Sequence, residues 1–391
     1  MIVGIIKETA ADETRVALVP AQVPSLTKAG LDVLVQSGAG ERAGFVDSEY
    51  TDRGARLGDA AAVAAADIVL SVRALPPEGD PLDSDAVGYR AGQVRIGFCD
   101  PLNFPQIVAS AAESGVSLFS MEMIPRITRA QSMDALSSMA MLAGYRAVLL
   151  AAETLPKIFP MMMTAAGTVS PAKVFVIGAG VAGLQAIATA KRLGAVVEAY
   201  DVRPAVKEQV ESVGAKFLEL QLETGDAQDK GGYAKELGED FYRKRREMMA
   251  VAVAAADVVI TAAAIPGREA PKLVTAEMVE GMSPGSVIVD LASERGGNCE
   301  LTQAGQCVVA HGVTILGPLN VPAALAHHAS QLYSKNITTF LLNMVKDGQL
   351  VLDQNDEIVT GTLLAQDGKI VHERLQQLLG IESEAATSQD G

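Results

Sequence analysis

The sequence predicts an α/β protein of two parallel-sheet units joined by long helices. Three observations predict it. Short apolar runs alternate with segments of helical periodicity, as strand–helix–strand crossovers require. A glycine-rich turn, Gly178-Ala179-Gly180-Val181-Ala182-Gly183, stands between one such run and one such helix. Two long helical patterns, 133–153 and 323–345, flank the region carrying that turn, so the first unit is read as discontinuous.

Taking the elements in order, residues 2–6 (IVGII) read as a first strand. Pro20 to Gly30 reads as a helix closed by Gly30. LDVLVQ (31–36) and Asp67 to Val72 read as further strands, so the first ~125 residues form one α/β unit. The segment FPMMMTAAGTVSPAKV (159–174) is extended or a hairpin, and its three methionines suit a flexible apolar contact better than a cofactor box. From Val174 the pattern runs through VFVIGAG, a helix, VVEAYD, a helix and KFLEL, and then DVVITAAA, SVIVDLA and VTILG. The polar stretch 221–240 is too long for an ordinary connection and reads as a disordered insert or a lid. RKRR (243–246) reads as a solvated helix face, Met248 to Ile265 as a helix end and a buried strand, and the tail 382–391 as disordered. The resulting domains are 1–136 with 326–391, and 137–325.

Composition narrows the function classes. The 391 residues are 49% hydrophobic and 20% charged, enough for two ordinary cores. A net charge of −15 disfavours nucleic acid, whose phosphates need Lys and Arg, and disfavours adsorption to anionic lipid. Cys99, Cys299 and Cys307 form no C-x-x-C pair, so a reduced cytoplasmic compartment is expected, with no disulfide framework and no metal site. With no uninterrupted apolar run of 18 residues and no signal-peptide layout, no membrane span is expected.

The glycine string alone is weak evidence. Here it follows the strand VFVI and opens the helix LQAIATAKRLG. Gly178 suits the tight turn, Gly180 the approach of backbone to a pyrophosphate, and Gly183 close helix–strand packing, with the helix N-terminus supplying N–H groups. Asp201 ends the next strand, 23 residues beyond Gly178, where a carboxylate accepts from ribose hydroxyls and repels a 2′-phosphate. NAD(H) is therefore expected over NADP(H), with Arg203 close enough to modulate that choice. The second unusual stretch is PRITRAQSMDALSS (125–138), a loop and helix start rich in hydrogen-bonding groups. Ser132 or Asp134 is equally readable as an N-cap there, and the arginines as solvated.

PRITRAQSMDALSS, AGYRAV (143–148), FPMMMTAAGTV (159–169) and GVAGLQAIATAKRLGAVVEAYDVR (180–203) closely resemble the NAD(H)-binding component of proton-translocating transhydrogenases, as do KEQVES, GGYAKELGE and GGNC. The resemblance runs from residue 2 to about 373. It implies two Rossmann-like domains, a homodimer docked on membrane-spanning proton-channel subunits at the inner face of the cell membrane, and a separate component carrying NADP(H). Matched by position, it implies that Arg126, Gln131, Asp134 and Ser137 orient the nicotinamide and its ribose, with Gln131, Arg126 and Asp134 closest to the chemistry, within a cofactor-binding stretch that includes Ile127, Thr128, Arg129, Ser132 and Met133. Gly178, Gly180, Val181, Ala182 and Gly183 then hold the pyrophosphate, and Asp201, with Val202 and Arg203, the adenosine ribose. Gly232 and Tyr233 match the tip of a mobile loop. Arg245 and Ala264 fall at positions lining the nucleotide site, where the family has Gln and Leu. Leu237 replaces a family Met, and GPLN (317–320) departs from a His-Thr-Asn form.

The rival reading is alanine dehydrogenase, a related enzyme that deaminates within one chain and needs a proton acceptor and a carboxylate clamp. Ser71 stands where its Lys falls, RIGFCDPLNF (95–104) lacks its His, and all four histidines (His311, His327, His328, His372) lie in the last quarter. Arg15 alone matches that site, and without a ligand it reads as a surface arginine. A third reading is a non-enzymatic NAD-binding module.

Overall fold

The computed structural model describes residues 1–75, 89–219, 239–265 and 267–381. The chain divides into two compact units, Met1–Met139 with Ala323–Gly391, and Ala140–Pro322. The outward crossing falls inside the helix Ala135–Thr154, and the return falls in the 3-10 turn Val321–Leu325, immediately ahead of the helix Ala326–Asn343.

Along the chain, the first unit opens with β1 (Ile2–Ile5), β2 (Asp32–Gln36), β3 (Arg56–Gly58), β4 (Ile68–Arg73), β5 (Val94–Phe98) and β6 (Ser117–Ser120). The second unit holds β7 (Met162–Thr164), β8 (Gly167–Val169), β9 (Lys173–Ile177), β10 (Val196–Tyr200), β11 (Lys216–Phe217), β12 (Val258–Thr261), β13 (Val287–Asp290), β14 (Cys307–Ala310) and β15 (Val313–Leu316). After the return come β16 (Val345–Lys346), β17 (Gln349–Leu350), β18 (Leu363–Gln366) and β19 (Lys369–Ile370). The helix expected over 20–30 is shorter, a 3-10 turn Pro20–Gln22 and a helix Val23–Lys28, with Gly30 in the left-handed region beyond it.

The two large sheets have one plan. The first has the order β19-β18-β6-β5-β4-β1-β2-β3, the second β11-β10-β9-β12-β13-β15-β14. Numbered within each unit, the parallel strands of both follow 3-2-1-4-5-6, with the reversal between β1 and β4 in the first and between β9 and β12 in the second. Each sheet also ends on antiparallel strands: β18 and β19 in the first, β14 in the second. These edges come from two-residue hairpins. Asp367-Gly368 and His311-Gly312 both take positive φ, as the tight turn matching strand twist requires.

In β9 the run VFVI is buried throughout because the sheet is covered on both faces. Val174 and Val176 pack with Ala147, Val148, Ala151, Ala186 and Ile187, while Phe175 and Ile177 pack with Met249, Val253 and Val259. Ala135–Thr154 is long and apolar enough to cross a membrane by length and composition, but Ala147, Val148 and Ala151 belong to that core. Met248 to Ile265 forms the end of helix Glu239–Ala255 and the buried strand β12, as the sequence suggested.

Candidate functional site

In the second unit, β9 delivers the chain into the glycine turn at the point where strand order reverses. Gly178 has φ +94, and its N–H donates to the Tyr200 carbonyl at 2.8 Å. A Cβ on Gly183 would lie 1.8 Å from the Gly178 carbonyl oxygen, so helix Val181–Arg192 closes directly onto the turn. The helix Ala135–Thr154 in turn closes onto its first residues, since a Cβ on Gly144 would lie 2.0 Å from the Ala182 carbonyl oxygen. Gly180 is different. Its φ of −75 suits any residue, and nothing lies within 4 Å of where its Cβ would stand. Among the described residues nothing demands glycine there, so the space suits an approaching ligand.

Asp201 faces this turn from the end of β10 and is 8% exposed. Its Oδ2 accepts from the Ala179 N–H at 2.8 Å, tying the carboxylate to the turn. Arg203 supplies the other donors: its backbone N–H and Nε to Oδ1, and Nη2 to Oδ2, all at 2.9 Å. With two acceptor positions per oxygen, the carboxylate is saturated by its own chain, so a ribose hydroxyl has to displace part of the guanidinium. Val202 is half-buried, Val181 exposed and Ala182 half-buried.

Two buried polar residues with no role assigned from the sequence shape the neighbouring loop after β12. Asn298, fully buried, accepts from the Ala263 N–H at 3.0 Å and donates to the Ala263 and Pro271 carbonyls. Asp290, also fully buried, accepts from Thr261 Oγ1, Thr302 Oγ1 and the backbone N–H groups of Ala292 and Cys299. Together they fix the loop containing Ala264, which is exposed. The only trace of Asn298 in the sequence is the string GGNC.

In the first unit, β6 leads into the stretch 125–138. It forms a 3-10 segment Thr128–Met133 and then the helix Ala135–Thr154. Asp134 caps that helix: its Oδ1 accepts from the Ser137 N–H at 2.8 Å and its Oδ2 from Ser137 Oγ at 2.5 Å. Arg126, Thr128, Gln131 and Ser132 are exposed and Ile127 half-buried. Met133 is 4% exposed, so its side chain is buried. Arg129 is forked onto Asp356. The stretch thus gathers Arg126, Gln131, Asp134 and Ser137 on one loop and helix start. Gly232 and Tyr233 lie outside the described residues, as does the side chain of Arg245, whose backbone is part of helix Glu239–Ala255.

The first unit's own strand reversal holds a buried charged cluster. Arg15 is not on the surface, where it was expected without a ligand: it is 6% exposed, donates to Glu13 through Nε at 2.7 Å and Nη2 at 2.6 Å, and lies over the Phe98 ring. Its guanidinium must be paired because an isolated charge cannot stay buried. Glu8 accepts from the Val72 and Arg73 N–H groups, and burial outweighs these bonds, pushing its carboxyl up to about 7. Ser71 is fully buried on β4, and the Tyr333 hydroxyl donates to its carbonyl at 2.8 Å.

Comparison with known proteins agrees with this layout. Residues 4–143 match the family model described as alanine dehydrogenase/PNT, N-terminal domain, and residues 147–373 match the corresponding C-terminal domain. The first of the separately named parts of the NAD(P) transhydrogenase alpha subunit of Rhodospirillum rubrum is 48% identical over 380 residues, covering 96% of this chain and 99% of the relative. The crystal structure of a transhydrogenase from Sinorhizobium meliloti superposes with a TM-score of 0.82 at 47% identity, covering 95% of this chain and 99% of that one. An L-alanine dehydrogenase structure reaches a TM-score of 0.81 at 26% identity, covering 97% and 99%. The chain therefore belongs to the alanine dehydrogenase/PNT family, on its NAD(P) transhydrogenase alpha-subunit branch.

Proposed function

We propose that this chain binds NAD(H) and exchanges hydride with NADP(H) held by another component, with proton translocation carried by membrane-spanning partner subunits. The observation that carries the nucleotide half is the turn Gly178–Gly183: backbone N–H groups at a helix start, open space at Gly180, and Asp201 alongside. The partner half is supported by relatives named as transhydrogenase alpha subunits.

When bound, the nicotinamide supplies the hydride; the chain's residues bind and orient it. In this reading domain 137–325 carries the nucleotide, and domain 1–136 with 326–391 carries the orienting loop. Gly178, Gly180, Val181, Ala182 and Gly183 offer their backbone to the pyrophosphate, and Asp201, with Val202 and Arg203, takes the adenosine ribose. Arg126 donates to the carboxamide oxygen and Asp134 accepts from its nitrogen, through lone pairs left over from capping the helix. Ser137 steadies Asp134, and Gln131 both donates and accepts, bridging to the incoming partner nucleotide. No protein acid or base is needed, only two rings in near-attack contact. Gly232, Tyr233, Arg245 and Ala264 remain assigned to the same nucleotide on the resemblance.

We further propose a homodimer. The β7–β8 hairpin supports it: Met161, Met162 and Met163 are 59%, 48% and 78% exposed, which is apolar surface suited to a second copy. Attachment at the cytoplasmic face of the membrane then goes through the partner subunits.

Gln131→Asn tests the reading. With the NADP(H)-binding component present, hydride transfer should slow by at least about tenfold, while NADH affinity, read from NADH fluorescence, changes less than about twofold. Equal losses in both refute the role. The alanine dehydrogenase reading is disfavoured by Ser71, buried on β4 where a proton acceptor would be needed, and robust NADH production from L-alanine by the isolated chain would sink the proposal.

A further inference from the structure

We infer that Asp356 and Asn336 are positioning residues that hold the loop Arg126–Asp134 in register for hydride transfer; the inference rests on the assignment of that loop to the nicotinamide. The loop's own backbone bonds are local: those of the 3-10 segment Thr128–Met133, with Ile127 N–H to the Pro125 carbonyl, Ala130 to Ile127, and Asp134 to Gln131 at its ends. Its side anchors come from the C-terminal segment of the same unit. Asp356 Oδ1 accepts from Arg129 Nη2 at 2.6 Å and from the Ile358 N–H at 2.9 Å, and Oδ2 from Arg129 Nη1 at 3.1 Å and Asn343 Nδ2 at 3.0 Å. Arg129 also reaches Asn343 Oδ1 at 3.3 Å. Three residues further along the loop, Asn336 Nδ2 donates to the Ser132 carbonyl at 2.9 Å.

These bonds bracket Gln131. Arg129 and Ser132 are pinned from outside, and Ala130 and Met133 are buried at 1% and 4% exposure, which leaves Gln131 as the exposed residue between fixed neighbours. Stability alone explains the arrangement poorly. The Arg129 side chain is half exposed, and an ion pair of that kind contributes little to folding. Asn336 is 6% exposed, and its Oδ1 is a buried acceptor without a partner among the described residues, a cost tolerated where a particular geometry is required. Hydrogen bonding from Arg129 holds the Asp356 carboxyl well below the usual carboxylate range, so the fork persists at any working pH.

The test uses Asp356→Asn, which keeps a side-chain oxygen to cap helix Glu357–Thr362 but loses the charged fork, and Asn336→Ala. Each variant is assembled with the NADP(H)-binding component and measured for single-turnover hydride transfer, NADH dissociation constant and amide exchange over 127–133. Transfer should fall by about tenfold and exchange should quicken, with the NADH constant within about twofold of wild type. Because both pins act on one loop, the double variant should lose less than the product of the two. Equal loss of affinity and transfer, unchanged exchange, or faster exchange with unchanged transfer would each overturn the positioning role. Wild-type chain that fails to bind NADH would instead overturn the nicotinamide assignment, while the exchange measurement still reports whether Asp356 holds the loop.

Discussion

Where strand order reverses in the first unit, β1 runs on into Lys7 and Glu8; at the same point of the second unit, β9 runs on into Gly178, Ala179 and Gly180. The strand order around the two points is the same, and such reversals leave a crevice beyond the carboxyl ends of the strands. In the first unit that crevice is occupied by the chain itself. Glu13 and Arg15 neutralise each other in the interior, Glu8 takes the Val72 N–H, and Tyr333 closes on Ser71. In the second unit the corresponding turn carries no side chain beyond Ala179, and Gly180 faces open space. The same strand order thus ends once in a cluster of paired buried side chains and once in a glycine turn with open space beside it, so side chains and not topology make the difference.

The largest expected effect breaks the filled crevice. Glu13→Gln removes the buried carboxylate that pairs with Arg15 and also with Arg73, and removing one member of a buried pair costs about 3 kcal/mol or more. Denaturant unfolding should show that loss, whereas the NADH dissociation constant of the folded variant should stay within about twofold of wild type. A variant that keeps full stability would mean that the pair does not fill the crevice as a structural unit.

How far this contrast was legible in the sequence depended on range. The nucleotide turn could be read because its signals are local: an apolar strand, glycines at fixed offsets, a helix, and Asp201 at the end of the next strand. Arg15 could not be read as buried, because the bonds to Glu13 are local but the Phe98 ring beneath it and the strands around it come from elsewhere. The hold of Asp356 on Arg129 spans 227 residues and leaves no periodic trace. The strands β18 and β19 escaped a reading based on apolar periodicity, although Asp367-Gly368 between them is a strong local hairpin signal. β3, three residues long with Arg56 and Leu57 exposed, carries no apolar pattern at all. Asn298 is a buried polar residue whose importance lies in the Ala263 backbone it bonds, which composition does not reveal.

A smaller change sharpens the contrast from the other side. Gly180→Ala adds a methyl where no protein atom lies within 4 Å, so thermal unfolding should be unchanged. If that space is where the pyrophosphate approaches, NADH affinity should fall by about tenfold or more. Unchanged affinity would show that the open crevice of the second unit is not open for the nucleotide.

The smallest expected effect concerns Arg203, which makes the second crevice partly resemble the first by pairing with an acidic neighbour. Among the described residues, Asp201 receives three hydrogen bonds from Arg203 and one from Ala179. In Arg203→Ala the backbone N–H bond and the Ala179 bond remain, so the carboxylate keeps its place and regains acceptor positions for ribose hydroxyls. The same substitution removes the cation nearest to a 2′-phosphate. Both changes push one way: the ratio of the NADPH to the NADH dissociation constant should widen by about fivefold, since one hydrogen bond gained or lost is worth about 1 kcal/mol. A ratio that narrows would mean that Arg203 supports the bound dinucleotide directly and that its pairing with Asp201 is not a competitor of the ribose.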